Sequence, residues 1–213
     1  KYLKASGPSI TIPTACAAGN YAISYGAEMI KDEKVDMAYV GGADGLSRSC
    51  FALFHRLGAM SPDFCRPFDK NRQGMMVSEG AGVLVLESLE SALNRNAYIY
   101  AEIIGHGLSC DAYHSTAPHP EGLGATLAML KALKSANIKA NEVSYISAHG
   151  TGTKANDSTE SKALYRVFKE YTDRIPVSSL KSMIGHTMGA ASGLEAISSV
   201  LTIKNNTITP TIR

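Results

Sequence analysis

The 213-residue sequence has no CxxC pair: its four cysteines, Cys16, Cys50, Cys65 and Cys110, stand far apart. That spacing argues against a structural zinc site and against a disulfide framework, and it fits a reducing, cytoplasmic compartment. Neither sign of charge prevails. A formal net charge of +2 gives no global attraction to nucleic acid. No apolar run reaches the length of a membrane span, and the first residues show no signal-peptide pattern. Low-complexity segments and internal repeats are absent. Nucleotide-binding signals fail as well: Gly122-Leu-Gly124 does not follow a strand, Gly41-Gly42-Ala43-Asp44-Gly45 lacks the full fingerprint, and nothing resembles a Walker loop. Nucleic acid, membrane and nucleotide are therefore not the expected partners.

Strand-like and helix-like runs alternate through the chain, which predicts an α/β architecture with mostly buried strands. Strands are expected at Ser9–Ile12, Val35–Val40, Val83–Leu86, Tyr98–Ile104, Val143–Ile146 and Ile175–Val177. Helices are expected at Ala17–Lys31, Glu87–Asn94, Leu123–Ser135, Asp157–Glu170 and Met188–Ile203, with a polar, proline-containing loop over Gly105–Gly122. No linker divides the chain, so residues 1–213 read as one compact unit or one piece of a larger one. The sequence opens on Lys1 and stops at Arg213 after Thr-Pro-Thr-Ile, so either end is compatible with a cut.

Three segments carry chemistry. In Thr14-Ala-Cys16-Ala-Ala-Gly19 a short strand and a Pro-Thr turn lead into a helix of small residues. A cysteine at a helix N-terminus has its thiolate favoured by free N–H groups, which also suit an oxyanion. A lone cysteine reads more simply as buried and inert, and two histidine motifs tip that balance. His149-Gly-Thr-Gly-Thr153 follows a buried strand, where α/β folds commonly place site residues; the bland alternative is a histidine bonded to a neighbouring loop. His186, in Lys181-Ser-Met-Ile-Gly-His186, opens a helix whose dipole disfavours the imidazolium and keeps the ring neutral. Gly189, Gly193, Ile197 and Val200 form a helical stripe that reads as packing surface. Asp157-Ser-Thr-Glu160 is either a capping box or a source of Glu160 as an ion-pair partner for Lys181.

With these flanks, the order Cys16, His149, His186 resembles the β-ketoacyl-acyl-carrier-protein synthases of the elongating, synthase II type, within the thiolase-like superfamily. Arg66-Pro-Phe-Asp69, Ser78-Glu-Gly-Ala-Gly82-Val-Leu-Val-Leu86-Glu87 and Asp111-Ala-Tyr-His-Ser-Thr116-Ala-Pro118 are further family blocks. A smaller oddity is Gly74-Met-Met-Val77 where the family usually has Gly-Phe-Val, and His149-Gly-Thr-Gly-Thr153-Lys-Ala-Asn156-Asp157 has a flavour of bacterial aromatic-polyketide synthases. The resemblance implies a layered α-β-α-β-α thiolase-like fold, present as an internal portion, because the family's Gly-Phe-Gly-Gly segment and the first part of the fold lie outside these residues.

The same resemblance implies a decarboxylative Claisen condensation in fatty-acid or type II polyketide elongation. Cys16 is the implied nucleophile and His149 and His186 the enolate holders, with Lys181 and Glu160 as their electrostatic support. Thr116, Pro118, Thr151 and Thr153 would form a substrate-binding loop. It implies acyl- and malonyl-loaded acyl carrier protein as partner, a homodimer, and no metal or organic cofactor. The alternatives are an inactive fragment, a silent partner subunit, a thiolase-type acyltransferase and a cysteine hydrolase. A thiolase would carry a second cysteine in a late glycine-rich motif, and a hydrolase leaves His186 and Lys181 unexplained.

Overall fold

A computed structural model describes residues 3–212. A 3-10 turn, Ala15–Ala17, runs into α1 (Ala18–Lys31), then β1 (Met37–Asp44), α2 (Arg48–Arg56), β2 (Gly80–Glu87) and α3 (Leu89–Asn94). A long irregular stretch leads to α4 (Leu123–Ala136), β3 (Ile146–Ser147), α5 (Lys154–Phe168), β4 (Val177–Ser178), α6 (Lys181–Ile184) and α7 (Ala191–Asn205).

β1 and β2 pair antiparallel, from Met37 opposite Glu87 to Asp44 opposite Gly80. Side chains alternate across such a ladder, so Ala38, Val40, Gly42, Gly82, Leu84 and Leu86 share one face. Helices α1 and α7 cover that face at close range. A Cβ on Gly26 would stand 2.4 Å from Val40 Cγ1, and one on Gly82 would stand 2.7 Å from Ile197 Cδ1. The opposite face is open: Met37, Tyr39, Val83 and Val85 are 41–61% exposed. The expectation of mostly buried strands is therefore met on one face only, since no second layer covers the other among the described residues. Both strands also run further than their apolar cores suggested. Gly41 and Gly42, just past the expected strand Val35–Val40, lie inside the ladder, where Gly42 must admit the turn before α7; a Cβ there would sit 2.3 Å from Gly189 O.

The other half is built on β3 and β4, which pair in parallel through a crossover containing α5. Leu164, Val167 and Phe168 of α5 form its core with Ile175, and Met129 and Leu133 of α4 pack against them. The halves meet where His186 joins residues 76–78: His186 N donates to Met76 O at 2.6 Å and Ser78 N donates to His186 O at 3.0 Å.

Two expected strands do not form. Ser9–Ile12 and Tyr98–Ile104 have no ladder partner among the described residues, and Tyr98, Tyr100 and Ile104 are exposed. β-Branched and aromatic composition makes a strand only where an edge is available to pair with. Helix α2 was not anticipated; Ser47 caps it by accepting the Cys50 N–H at 3.1 Å.

Candidate active site

Three loop ends bring the predicted residues together. Cys16 lies in the turn ahead of α1, next to Ala15, whose φ of 48° is left-handed and costly for an alanine. His149 follows β3, and His186 follows α6. Ligand-type atoms of Cys16, His149 and His186 all lie within 4.8 Å of one another. The two imidazoles meet edge to face, with centroids 5.3 Å apart.

The hydrogen bonds fix what each ring offers. Lys181 Nζ stands 3.2 Å from His149 Nδ1. An ammonium only donates, so Nδ1 accepts and the ring proton sits on Nε2. The Met188 N–H donates to His186 Nδ1 at 3.2 Å, which fixes the same tautomer there. Both rings are neutral. Burial first, then the Lys181 charge, lowers His186 to about 3, and burial, Lys181 and His186 push His149 well below its ordinary value. The expected neutral His186 is present, but burial is the leading cause rather than the helix dipole. Two N–H donors beside a sulfur suit a developing oxyanion. They do not suit a metal: the spacing would admit an ion, but each ring presents a proton where a ligand needs a lone pair.

Cys16 departs from expectation. Burial raises its pKa and outweighs the lowering from Lys181 and from its own backbone N–H. The resting group is therefore a thiol, and the helix N-terminus does not make it a standing thiolate.

Lys181 is 1% exposed, and its counter-ion is Glu195 of α7, not Glu160 as expected. Burial raises the Glu195 pKa against the pull of Lys181. Glu160 instead accepts the N–H groups of His149 at 2.7 Å and Gly150 at 2.8 Å, with Asn156 Nδ2 at 3.1 Å. It braces the His149 loop from beneath. The Asp157–Glu160 capping box does not form either. Thr153 is the N-cap of α5, accepting from Asn156 N. Asp157, 1% exposed, binds Phe68 N, Gly152 N and Asn156 Nδ2 and lies 3.5 Å from Arg72. It ties the Arg66–Asp69 block to the loop after His149.

That loop turns on two glycines with positive φ, Gly150 at 40° and Gly152 at 77°. A Cβ on Gly150 would meet Ser179 Cβ at 2.6 Å, so only glycine lets His149 lie this close to β4. Thr151 and Thr153 bond each other at 2.8 Å within the cap. Thr116 is exposed, its N–H on His114 Nδ1 at 3.1 Å, and Pro118 is half-buried in the same loop. Sequence reasoning missed Glu195, although it is the one acid in α7, and an isolated charge in an apolar helix is a signal for a buried partner.

Comparison with known proteins gives the family. Residues 1–92 match the β-ketoacyl synthase N-terminal domain and residues 100–213 the β-ketoacyl synthase C-terminal domain. The chain belongs to the β-ketoacyl synthase family. Among this family's members, 3-oxoacyl-[acyl-carrier-protein] synthase 2 of Synechocystis sp. is 44% identical over 217 residues, covering 99% of the chain and 52% of that protein. The Staphylococcus aureus protein of the same name is 44% identical over 216 residues, covering 99% and 54%. The chain thus spans about half the length of these curated relatives.

Two solved ketosynthases superpose closely. The ishigamide ketosynthase/chain length factor is 53% identical with a TM-score of 0.92, covering 96% of this chain and 50% of that one. A type II polyketide synthase acyl-carrier protein in complex with its ketosynthase, bound to the hexaketide, matches at 37% identity and a TM-score of 0.94, covering 97% and 53%. The fold is the thiolase-like α/β fold of these neighbours.

Proposed function

We propose that the protein catalyses decarboxylative condensation between an acyl group and a malonyl-acyl-carrier protein, as a 3-oxoacyl-acyl-carrier-protein synthase. The observation that carries this reading is the pair of Nε2–H donors held beside Cys16 by Lys181 and the Met188 N–H. The match to synthases of that name, and to a ketosynthase complexed with its carrier protein, supports it.

In the first stage Cys16 Sγ attacks the carbonyl of an acyl thioester. The new C–S bond forms, the carrier thiolate leaves, and the Cys16 proton ends on that thiol. In the second stage the malonyl thioester oxygen lies against the His149 and His186 N–H groups. The bond to the carboxylate breaks, CO2 departs, and its electron pair becomes an enolate held by the two donors. The enolate carbon attacks the acyl-Cys16 carbonyl, and Cys16 leaves as thiolate and is reprotonated from water. The product is a 3-oxoacyl-carrier protein two carbons longer. Decarboxylation supplies the carbanion, so this route uses no metal or organic cofactor.

Burial first, and then the Lys181 charge, keep both rings uncharged, and Lys181 holds His149 in its donor tautomer. Glu195 balances that charge, and Glu160 holds the His149 backbone. These are supporting roles rather than contacts with the reacting atoms.

The reading takes residues 1–213 as part of one ketosynthase domain, working in the cytoplasm; no described helix is long and apolar enough to cross a membrane. It takes the protein as a homodimer. Because one neighbour is named as a ketosynthase with a chain length factor, light scattering of the full protein alone and with such a partner distinguishes self-pairing from heteropairing. Cys16 supports the catalytic rather than the silent role.

The test is CO2 release from malonyl-carrier protein without an acyl donor. Cys16→Ala is expected to retain release while His149→Ala and His186→Ala lose it. Equal loss in all three variants would contradict the assignment of donors and nucleophile to separate steps.

A further inference from the structure

We propose that Ser192 is a positioning residue for Cys16, its hydroxyl inserted into the first turn of α1. Ser192 is 4% exposed at the start of α7. Its Oγ donates to the Cys16 carbonyl at 3.0 Å and accepts the Asn20 N–H at 3.0 Å. Asn20 N–H and Cys16 C=O are four residues apart, the two groups that an α-helix would join directly. Here α1 starts only at Ala18, and the hydroxyl completes the missing link from another element. A side chain inserted into the ladder holds a turn open. Gly19 makes this reach possible: a Cβ there would lie 2.4 Å from Gly193 N and 2.9 Å from Ser192 Oγ.

The consequence concerns the nucleophile. With the bridge in place, the Cys16 peptide is tied to α7, the helix that follows His186 and carries Glu195. Without it, carbonyl and N–H close on each other and wind Cys16 into α1, or they stand part-buried without this partner. Either way the sulfur loses its fixed place against the two imidazoles.

This inference rests on Cys16 being the acyl acceptor, so the experiment reads the two separately. Ser192→Ala and Ser192→Gly are compared with wild type in the full protein. Iodoacetamide labelling of each cysteine is followed against pH by peptide mass, with exposed Cys110 as internal reference, beside acyl loading from an acyl-carrier protein. Ser192→Ala is expected to slow both reactions at Cys16 about tenfold, with the labelling midpoint shifted, the donor concentration for half-loading unchanged and Cys110 unaffected. Ser192→Gly, which leaves room for a bridging water, is expected to fall between Ser192→Ala and wild type. If Ser192→Ala does not fold, Ser192→Gly decides alone. Wild-type Cys16 rates and pH profile in the folded variants overturn the role of Ser192. A wild-type protein that labels at Cys16 yet takes no acyl group overturns the condensing reading instead, and the labelling still decides the bridge.

Discussion

Replacing His186 by asparagine removes the titrating ring while keeping an oxygen close to the position of Nδ1, where the Met188 N–H donates. In the folded protein His186 is lowered from 6.5 to about 3, chiefly by burial. On unfolding the ring regains its ordinary value, so between these limits the unfolded chain binds the extra proton. Stability from this group is therefore fully present above about pH 6.5 and is lost as the pH falls towards 3. From pH 7 to pH 5 the loss works out at about 2 kcal/mol, one and a half pKa units' worth. Glu160 and Glu195 are raised by burial, so their contributions slope the other way. They are present in both proteins and cancel in the comparison. Urea unfolding of wild type and His186→Asn at both pH values reads the difference. The wild type is expected to lose about 2 kcal/mol more than the variant on acidification. Equal losses would mean that His186 is not held neutral by burial, and the donor argument would fall with it.

Three further substitutions probe the supporting framework. Glu195→Ala leaves the Lys181 charge buried and unpaired, and is expected to cost about 3–5 kcal/mol in chemical denaturation; Glu195→Gln, still able to accept, costs less. Glu160→Ala strips the acceptor from the His149 and Gly150 N–H groups, for a loss of about 2–4 kcal/mol together with slower CO2 release from malonyl-carrier protein. Gly19→Ala drives a methyl to within 2.4 Å of the Gly193 nitrogen. It is expected to lower the thermal midpoint by several degrees and to slow Cys16 acylation, while a surface control such as Lys134→Ala changes neither.

The site was legible because its residues are marked by local pattern. Cys16, His149 and His186 each sit where a strand-like run breaks into small residues, and the structure brings all three within reach of one another. Their partners were not legible, because pairing is a tertiary matter. Lys181 stands 14 residues from Glu195 and meets it across two helices. Glu160, three residues from an aspartate, gave a local capping signal that the loop after His149 overrode. The protonation of Cys16 misled for a related reason: a helix N-terminus can be read from sequence, whereas the burial that outweighs it cannot. The expected helices formed within a few residues of their expected bounds, whereas α2 was missed. Tyr98–Ile104 had strand composition but no pairing edge among the described residues, while Gly82 marks a close contact with α7 and Gly42 the close approach of the turn before it.

In the proposed reaction Cys16 accepts an acyl group in a site whose imidazoles serve a different step. Intact mass of the full protein after incubation with an acyl-carrier-protein thioester, beside Cys16→Ala and His186→Ala, tests it directly. An acyl adduct is expected on wild type and on His186→Ala, and none on Cys16→Ala. An adduct that survives Cys16→Ala, or a folded wild-type protein that takes no acyl group, would contradict it.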